Sequence, residues 1–83
     1  MQVTLEISIY PLDKNYSPVI HSFIDALTRH PSVKIKVQPL STLMMGDFDE
    51  CIRILNIELK KIMDTDRTIV TQLKIINVDL SDQ

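Results

Sequence analysis

Hydrophobic and polar residues alternate from the start of the chain. Val3, Leu5, Ile7 and Ile9 are separated by polar or amphipathic residues. A period of two is typical of a strand with one buried face, so a first strand is predicted from Val3 to Tyr10. Pro11 ends this strand.

A helical spacing follows after a polar connection. Ser17 before Pro18 predicts a helix start, with serine as the N-cap and proline at the first position, where its missing N–H costs nothing. An apolar stripe then predicts the buried face of the helix. Its members are Val19, Ile20, Phe23, Ile24 and Leu27. Pro31 stops the helix.

Two strands and a second helix are predicted next. Alternation from Val33 to Gln38 indicates the second strand, and 42–45 forms a short third strand that ends at Gly46, the only glycine. Asp47 with Glu50 three residues later resembles a capping box and predicts the second helix. Its apolar stripe comprises Phe48, Cys51, Ile52, Leu55, Leu59 and Ile62. A fourth strand is predicted from Thr68 to Ile76, a segment rich in residues that favour β-structure.

The predicted order is therefore βαββαβ in one domain spanning residues 1–83. Right-handed crossovers interleave the two strand–helix–strand halves. We expect an α+β, ferredoxin-like sandwich with an antiparallel four-stranded sheet in the order 4-1-3-2 and both helices on one face. The segment 77–83 is expected either to add an edge pairing with a neighbouring subunit or to fray.

Two helices on one side leave the other face of the sheet uncovered. If the apolar positions face the helices, the alternate positions build the open face. These are Thr4, Glu6, Ser8 and Tyr10, then Lys34, Lys36 and Gln38, then Thr42 and Met44, and finally Val70, Gln72, Lys74 and Ile76. Such a mixed surface suits water, another subunit or a small polar ligand.

Charge and composition exclude several classes of partner. The net charge is −2 and the lysines are scattered, whereas nucleic-acid binding needs clustered Lys and Arg. No apolar run is long enough to span a bilayer. One cysteine, Cys51, rules out an internal disulfide and is typical of a reducing compartment, so we expect a cytoplasmic protein without nucleic-acid or membrane partners.

No catalytic or metal-binding motif is present in the sequence. His21, His30 and Cys51 are isolated, and a metal site needs clustered ligands. Cys51 falls on the apolar stripe of the second helix, where a small buried side chain is expected. We therefore expect no enzyme activity, no catalytic residue, no metal and no cofactor.

Four stretches of the chain carry a resemblance to a known family. They are VTLEISIYPL, VKIKVQPLSTLMMG, DFDE and DRTIVTQLKI, and they include a Pro-x-Ser-Thr-x-x-x-Gly pattern at Pro39, Ser41, Thr42 and Gly46, followed by Arg67. On these residues the chain resembles the thiamine-binding YkoF-like family of small ferredoxin-like proteins. The resemblance implies a non-catalytic protein that binds thiamine or its hydroxymethylpyrimidine part. It also implies dimers or tetramers with sites near sheet faces and subunit boundaries.

The open face fits that ligand chemistry. An aminopyrimidine has adjacent hydrogen-bond donors and acceptors and a flat ring that prefers an apolar or aromatic wall. The candidate ligand-binding residues are Glu6, Ser8, Tyr10, Thr42, Met44 and Gln72. Two alternatives stay open: an interaction module whose open face serves only homo-oligomer assembly, and a regulatory domain that binds an amino acid at a dimer interface.

Overall fold

A computed structural model describes residues 1–82, so the last position of the predicted tail, Gln83, lies outside the described residues. Its elements follow the predicted order. They are β1 (Gln2–Pro11), α1 (Tyr16–Thr28), β2 (Lys34–Val37), β3 (Thr42–Asp47), α2 (Phe48–Met63) and β4 (Ile69–Ile76).

The strands within residues 1–82 form one antiparallel sheet in the order β2-β3-β1-β4. Read from the other edge this is 4-1-3-2, so the predicted ferredoxin-like fold is confirmed. α1 packs against β1 and β2, and α2 packs against β3 and β1. Between helices and sheet lies an apolar core that includes Leu5, Ile7, Phe23 and Ile54, each at most 2% exposed.

The two helix starts differ from each other in how they are capped. Asp47 caps α2 as predicted, because its carboxylate accepts the Asp49 N–H at 3.2 Å. Glu50 does not complete a capping box, since its carboxylate instead accepts from Ser32 and Arg53. The predicted cap at Ser17 is wrong: α1 begins at Tyr16, and Asn15 precedes it without a side-chain cap.

The predicted facing of β3 is also wrong. Val37 pairs with Thr42 across the β2–β3 hairpin, and Met44 pairs with Leu5. Residues directly opposite each other in an antiparallel pair share a face, so Thr42 and Met44 point toward the helices with their partners. Met44 is fully buried in the core.

The segment after β4 folds back over the open face of its own sheet. The Thr4 hydroxyl donates to the Val78 carbonyl at 2.8 Å and accepts the Leu80 N–H at 2.9 Å. These bonds leave Thr4 only 2% exposed. Within the described part of the tail, Val78 and Leu80 are therefore held against the chain's own β1, and the predicted pairing with a neighbouring subunit stays a prediction.

Candidate functional site

A polar hollow lies on the open face where β1 and β4 run beside the β2–β3 hairpin loop. We call it the sheet-face pocket, and its volume is about 200 Å³. Its lining residues are Glu6, Ser8, Tyr10, Leu40, Ser41, Gln72 and Lys74. Four of the six predicted ligand-binding residues are thus brought together in one place.

Strand register brings these side chains together. Glu6 pairs with Lys74, Ser8 with Gln72 and Tyr10 with Val70. Residues directly opposite each other share a face of the sheet. The even-numbered residues of β1 and of β4 therefore project to the same side. The alternation in the sequence therefore dictates this part of the pocket.

Glu6 is the carboxylate at the centre of the pocket. Its Oε2 lies 2.9 Å from the Ser41 hydroxyl, which also lies 2.9 Å from Oε1 of Gln38. One hydroxyl hydrogen serves only one of these acceptors at a time. The other carboxylate oxygen, Oε1, lies 3.7 Å from the ammonium of Lys74. That ammonium side chain is 85% exposed, so the ion pair is weak and a ligand can displace it.

The remaining polar groups come from the following positions of β1 and from β4. The Tyr10 hydroxyl lies 3.4 Å from Oε1 of Gln72, a long and weak hydrogen bond. The Ser8 hydroxyl donates to the Leu40 carbonyl at 3.2 Å and so ties β1 to the hairpin loop. Together these groups offer a carboxylate, an amide, hydroxyls and one aromatic ring within a small volume.

Two predicted site residues lie elsewhere. Thr42 and Met44 face the helices because of the hairpin register, so neither lines the sheet-face pocket. Sequence reasoning placed Lys74 on the same face but did not choose it, and it missed Ser41 and Leu40 as ligand-binding residues. Ser41 belongs to the Pro39–Gly46 pattern, which was the available signal that the hairpin loop contributes to the site.

Two kinds of reactive side chain, possible metal ligands and the thiol of Cys51, were predicted to be isolated or buried. Among residues 1–82, no cluster of three or more His, Cys, Asp or Glu side chains could hold a metal ion. Cys51 is fully buried, and burial raises the pKa of its thiol, which disfavours the nucleophilic thiolate. In the same residues, no helix is long and apolar enough to cross a membrane.

Comparison with solved structures reveals close matches of the fold. A Streptococcus pneumoniae protein is 26% identical with a TM-score of 0.84, and the alignment covers 96% of this chain and 90% of that one. A candidate thiamine biosynthesis/salvage protein from Thermotoga maritima is 22% identical with a TM-score of 0.82, over 94% of this chain and 85% of that one.

A third neighbour is a domain of unknown function, DUF77, from Bacillus cereus. It is 23% identical with a TM-score of 0.73, and the alignment covers 96% of this chain and 79% of that one. No family model and no curated protein matches the chain. The comparisons therefore establish the fold, and they include one neighbour whose name links it to thiamine.

Proposed function

We propose that this chain is a non-catalytic cytoplasmic protein of the thiamine-binding YkoF-like kind, which binds thiamine or its hydroxymethylpyrimidine part in the sheet-face pocket. The observation that carries the proposal is the convergence of Glu6, Tyr10 and Gln72 beside the hairpin loop. The fold match to the Thermotoga maritima protein supports it, as does the free, buried Cys51, which suits a reducing compartment.

The pocket chemistry matches an aminopyrimidine. A carboxylate accepts hydrogen bonds from an exocyclic amino group, and a glutamine amide both donates to and accepts from a ring edge. Glu6 and Gln72 supply these groups, and the Tyr10 ring supplies a flat wall. The rim at Leu40, which is 87% exposed, adds apolar surface that a bound ring would cover.

Charge distinguishes thiamine from its pyrimidine part. Thiamine carries a permanent positive charge on its thiazolium ring, whereas hydroxymethylpyrimidine is neutral. In the pocket Glu6 attracts that cation, while Lys74, 3.7 Å away, repels it. Changes at these two residues should therefore affect thiamine in opposite directions and affect the neutral ligand less.

We also propose that the chain acts as a homo-oligomer joined along β4. This strand is an edge of the sheet, and long exposed edges with apolar side chains tend to pair. Four of its side chains are 41–46% exposed: Val70, Leu73, Ile75 and Ile76. Pairing of β4 with the same strand of a second copy would cover both the unpaired backbone and these side chains.

The exposed β4 edge also favours the alternative function, in which the chain is only an assembly module. The two functions differ in what a ligand does. A binding protein gains stability from its ligand by mass action, whereas a pure assembly module does not respond to it.

Isothermal titration calorimetry of thiamine and hydroxymethylpyrimidine against the intact chain tests the proposal. We expect both ligands to release or absorb heat on binding. Glu6→Gln should weaken thiamine binding several-fold, and Lys74→Ala should strengthen it a few-fold. Asp25→Asn removes an exposed charge from α1 and is the matched control. This variant should bind both ligands with the affinity of the wild type.

Absence of heat with both ligands, together with an unchanged melting temperature at high ligand concentration, would leave the assembly module as the function. Equal effects of Glu6→Gln on thiamine and on the neutral pyrimidine would contradict the proposed role of the Glu6 charge.

A further inference from the structure

A second cavity lies on the opposite side of the sheet, where β1 outruns β3. It has a volume of about 330 Å³, within the usual range for small-ligand sites. We call it the hairpin notch. Its walls are the end of β1, the start of α1 and the β2–β3 hairpin loop, represented by Ile9, Tyr16, Phe23, Pro39 and Thr42.

The notch exists because β1 pairs with β4 over a longer stretch than it pairs with β3. The pairing with β4 continues to Pro11, whereas the pairing with β3 stops where Ile7 meets Thr42. Beyond that point β1 has a strand on one side only. The hairpin loop stands across the gap and is tied to β1 by the Ser8 hydroxyl bond to Leu40.

Successive residues of β1 direct their backbone N–H and C=O alternately toward β4 and toward the β3 side. This alternation leaves the N–H and C=O of one residue facing the gap. The Leu12 N–H donates to the Thr68 carbonyl at 3.0 Å, so even-numbered residues at this end of β1 direct their N–H and C=O toward β4. At the other end, the Phe48 N–H donates to the Met1 carbonyl at 2.9 Å, so odd-numbered residues face the β3 side. Ile9 is odd-numbered and lies beyond the last β1–β3 pair.

Ile9 therefore presents an N–H and a C=O side by side at the edge of the notch. Among residues 1–82, no turn, loop or cap hydrogen bond takes up either group. Buried backbone groups are nearly always paired, and Ile9 as a residue is half-buried. Added strands bind to such an adjacent donor and acceptor at a strand edge, and so can a ligand that presents the same pair of groups.

The remaining walls define what else the occupant needs. Phe23, Ile24 and Ile20 make one side apolar, and Tyr16 lines the same cavity. Polar side chains are few and come from Gln38, Ser41 and Thr42. No Asp, Glu, Lys, Arg or His of residues 1–82 lines the cavity, so its chemistry favours an uncharged molecule.

We propose that the hairpin notch is a second ligand site, which takes a neutral planar ring carrying an adjacent N–H donor and carbonyl or ring-nitrogen acceptor. The ring packs between Phe23 and Tyr16, and its polar edge pairs with the N–H and C=O of Ile9 as a missing strand residue would. This site opens on the other side of the sheet from the sheet-face pocket, although Tyr10, Leu40 and Ser41 border both, and it does not depend on what that pocket binds.

Two small probes that differ in one hydrogen-bond donor test the proposal. 2-Pyridone is flat and neutral, with an N–H next to a carbonyl, whereas N-methyl-2-pyridone lacks the N–H. In ¹H–¹⁵N correlation spectra of the intact chain, 2-pyridone should shift the Ile9 amide and those of the hairpin loop. N-methyl-2-pyridone should bind at least tenfold more weakly.

Two variants complete the test. Ile9→Pro removes the amide that has no strand partner and should abolish the probe-induced shifts, while Ile9→Val keeps the backbone and should retain them. If Ile9→Pro does not fold, Ile24→Phe, which fills the cavity, serves the same purpose. Gln72→Ala changes a residue that lines the sheet-face pocket but not the notch, and it should leave the 2-pyridone affinity within twofold of the wild type.

Equal affinities for the two pyridones, or shifts that spare Ile9, would overturn the proposal. These results are distinct from a failure of thiamine binding, because they concern a different cavity and an uncharged probe.

Discussion

The imidazole of His30 lies 2.8 Å from the carboxylate of Glu58, with its Nε2 facing Oε2. His30 follows α1 and Glu58 belongs to α2, so this contact joins the two helices. Glu58 is only 5% exposed, and its other oxygen lies 3.2 Å from the ammonium of Lys61. A buried carboxylate needs such partners to remain ionised.

The first prediction concerns acid stability. The hydrogen bond from His30 lowers the pKa of Glu58, burial opposes the shift, and Lys61 lowers it further. Because the folded-state pKa is depressed, the stabilisation is fully present above the unfolded value of about 4.5 and is lost as the pH falls through the folded-state value. Glu58→Ala should lower the free energy of unfolding by about 1–3 kcal/mol at pH 7, and urea denaturation measures this loss.

The difference between Glu58→Ala and the wild type should shrink when both are unfolded at a pH well below 4.5. Asp25→Ala, which removes an exposed carboxylate from α1, is the control and should change stability little at either pH. A Glu58→Ala penalty that stayed constant across the acid range would show that the His30–Glu58 contact contributes packing alone.

The second prediction concerns Gly46, which lies on β3 opposite Val3. A Cβ added there would meet Cγ1 of Val33 at 3.0 Å and Sγ of Cys51 at 3.5 Å. Gly46→Ala should therefore destabilise the fold by about 1–3 kcal/mol through overpacking. Adding Val33→Ala removes the opposing methyl group, so the double variant should lose less than the sum of the two single losses in thermal unfolding. If the two stability losses simply add, overpacking against Val33 is not the cause.

The third prediction concerns the tail. Thr4→Val keeps the shape of the side chain but removes both hydroxyl bonds to Val78 and Leu80. We expect a loss of about 1–2 kcal/mol and faster hydrogen exchange at the Leu80 amide, because its acceptor is gone. Thr68→Val changes an exposed threonine and is the control. Unchanged exchange at Leu80 would mean that other contacts hold the tail.

The fourth prediction concerns assembly along β4. Leu73→Lys places a charge at the centre of the proposed contact and should convert the oligomer to a monomer, because like charges meet across a two-fold axis. Val37→Lys makes the same change at a 58% exposed side chain on the opposite edge strand, and should leave assembly intact. Size-exclusion chromatography with light scattering measures both masses. A monomeric wild type, or dissociation by Val37→Lys alone, would contradict the proposed interface.

Much of the fold follows from the sequence because its strongest patterns are local. The alternation from Val3 to Tyr10 has one apolar and one mixed set, so the face of each β1 residue is unambiguous. The register with β4 then brings Gln72 next to Ser8, on the open face that was predicted for both residues. These positions account for most of the sheet-face pocket.

The facing of β3 was not predicted correctly and the position of the tail was not predicted, because no local hydrophobic pattern specifies them. Leu43, Met44 and Met45 are three consecutive apolar residues, so alternation cannot assign their faces. Their orientation is fixed by the pairing of Val37 with Thr42 across a hairpin whose loop length was not known beforehand. The contact of Thr4 with the tail joins residues 74 or more positions apart, and no local pattern specifies it.

The central claim is that an aminopyrimidine binds the open sheet face beside Glu6. The most direct measurement is a ¹H–¹⁵N correlation titration of the intact chain with hydroxymethylpyrimidine. We predict saturable shifts that cluster at the amides of Glu6, Ser8, Ser41 and Gln72, and Glu6→Gln should weaken this neutral ligand less than it weakens thiamine. Shifts confined to other surfaces, or no shifts at saturating ligand, would contradict the account.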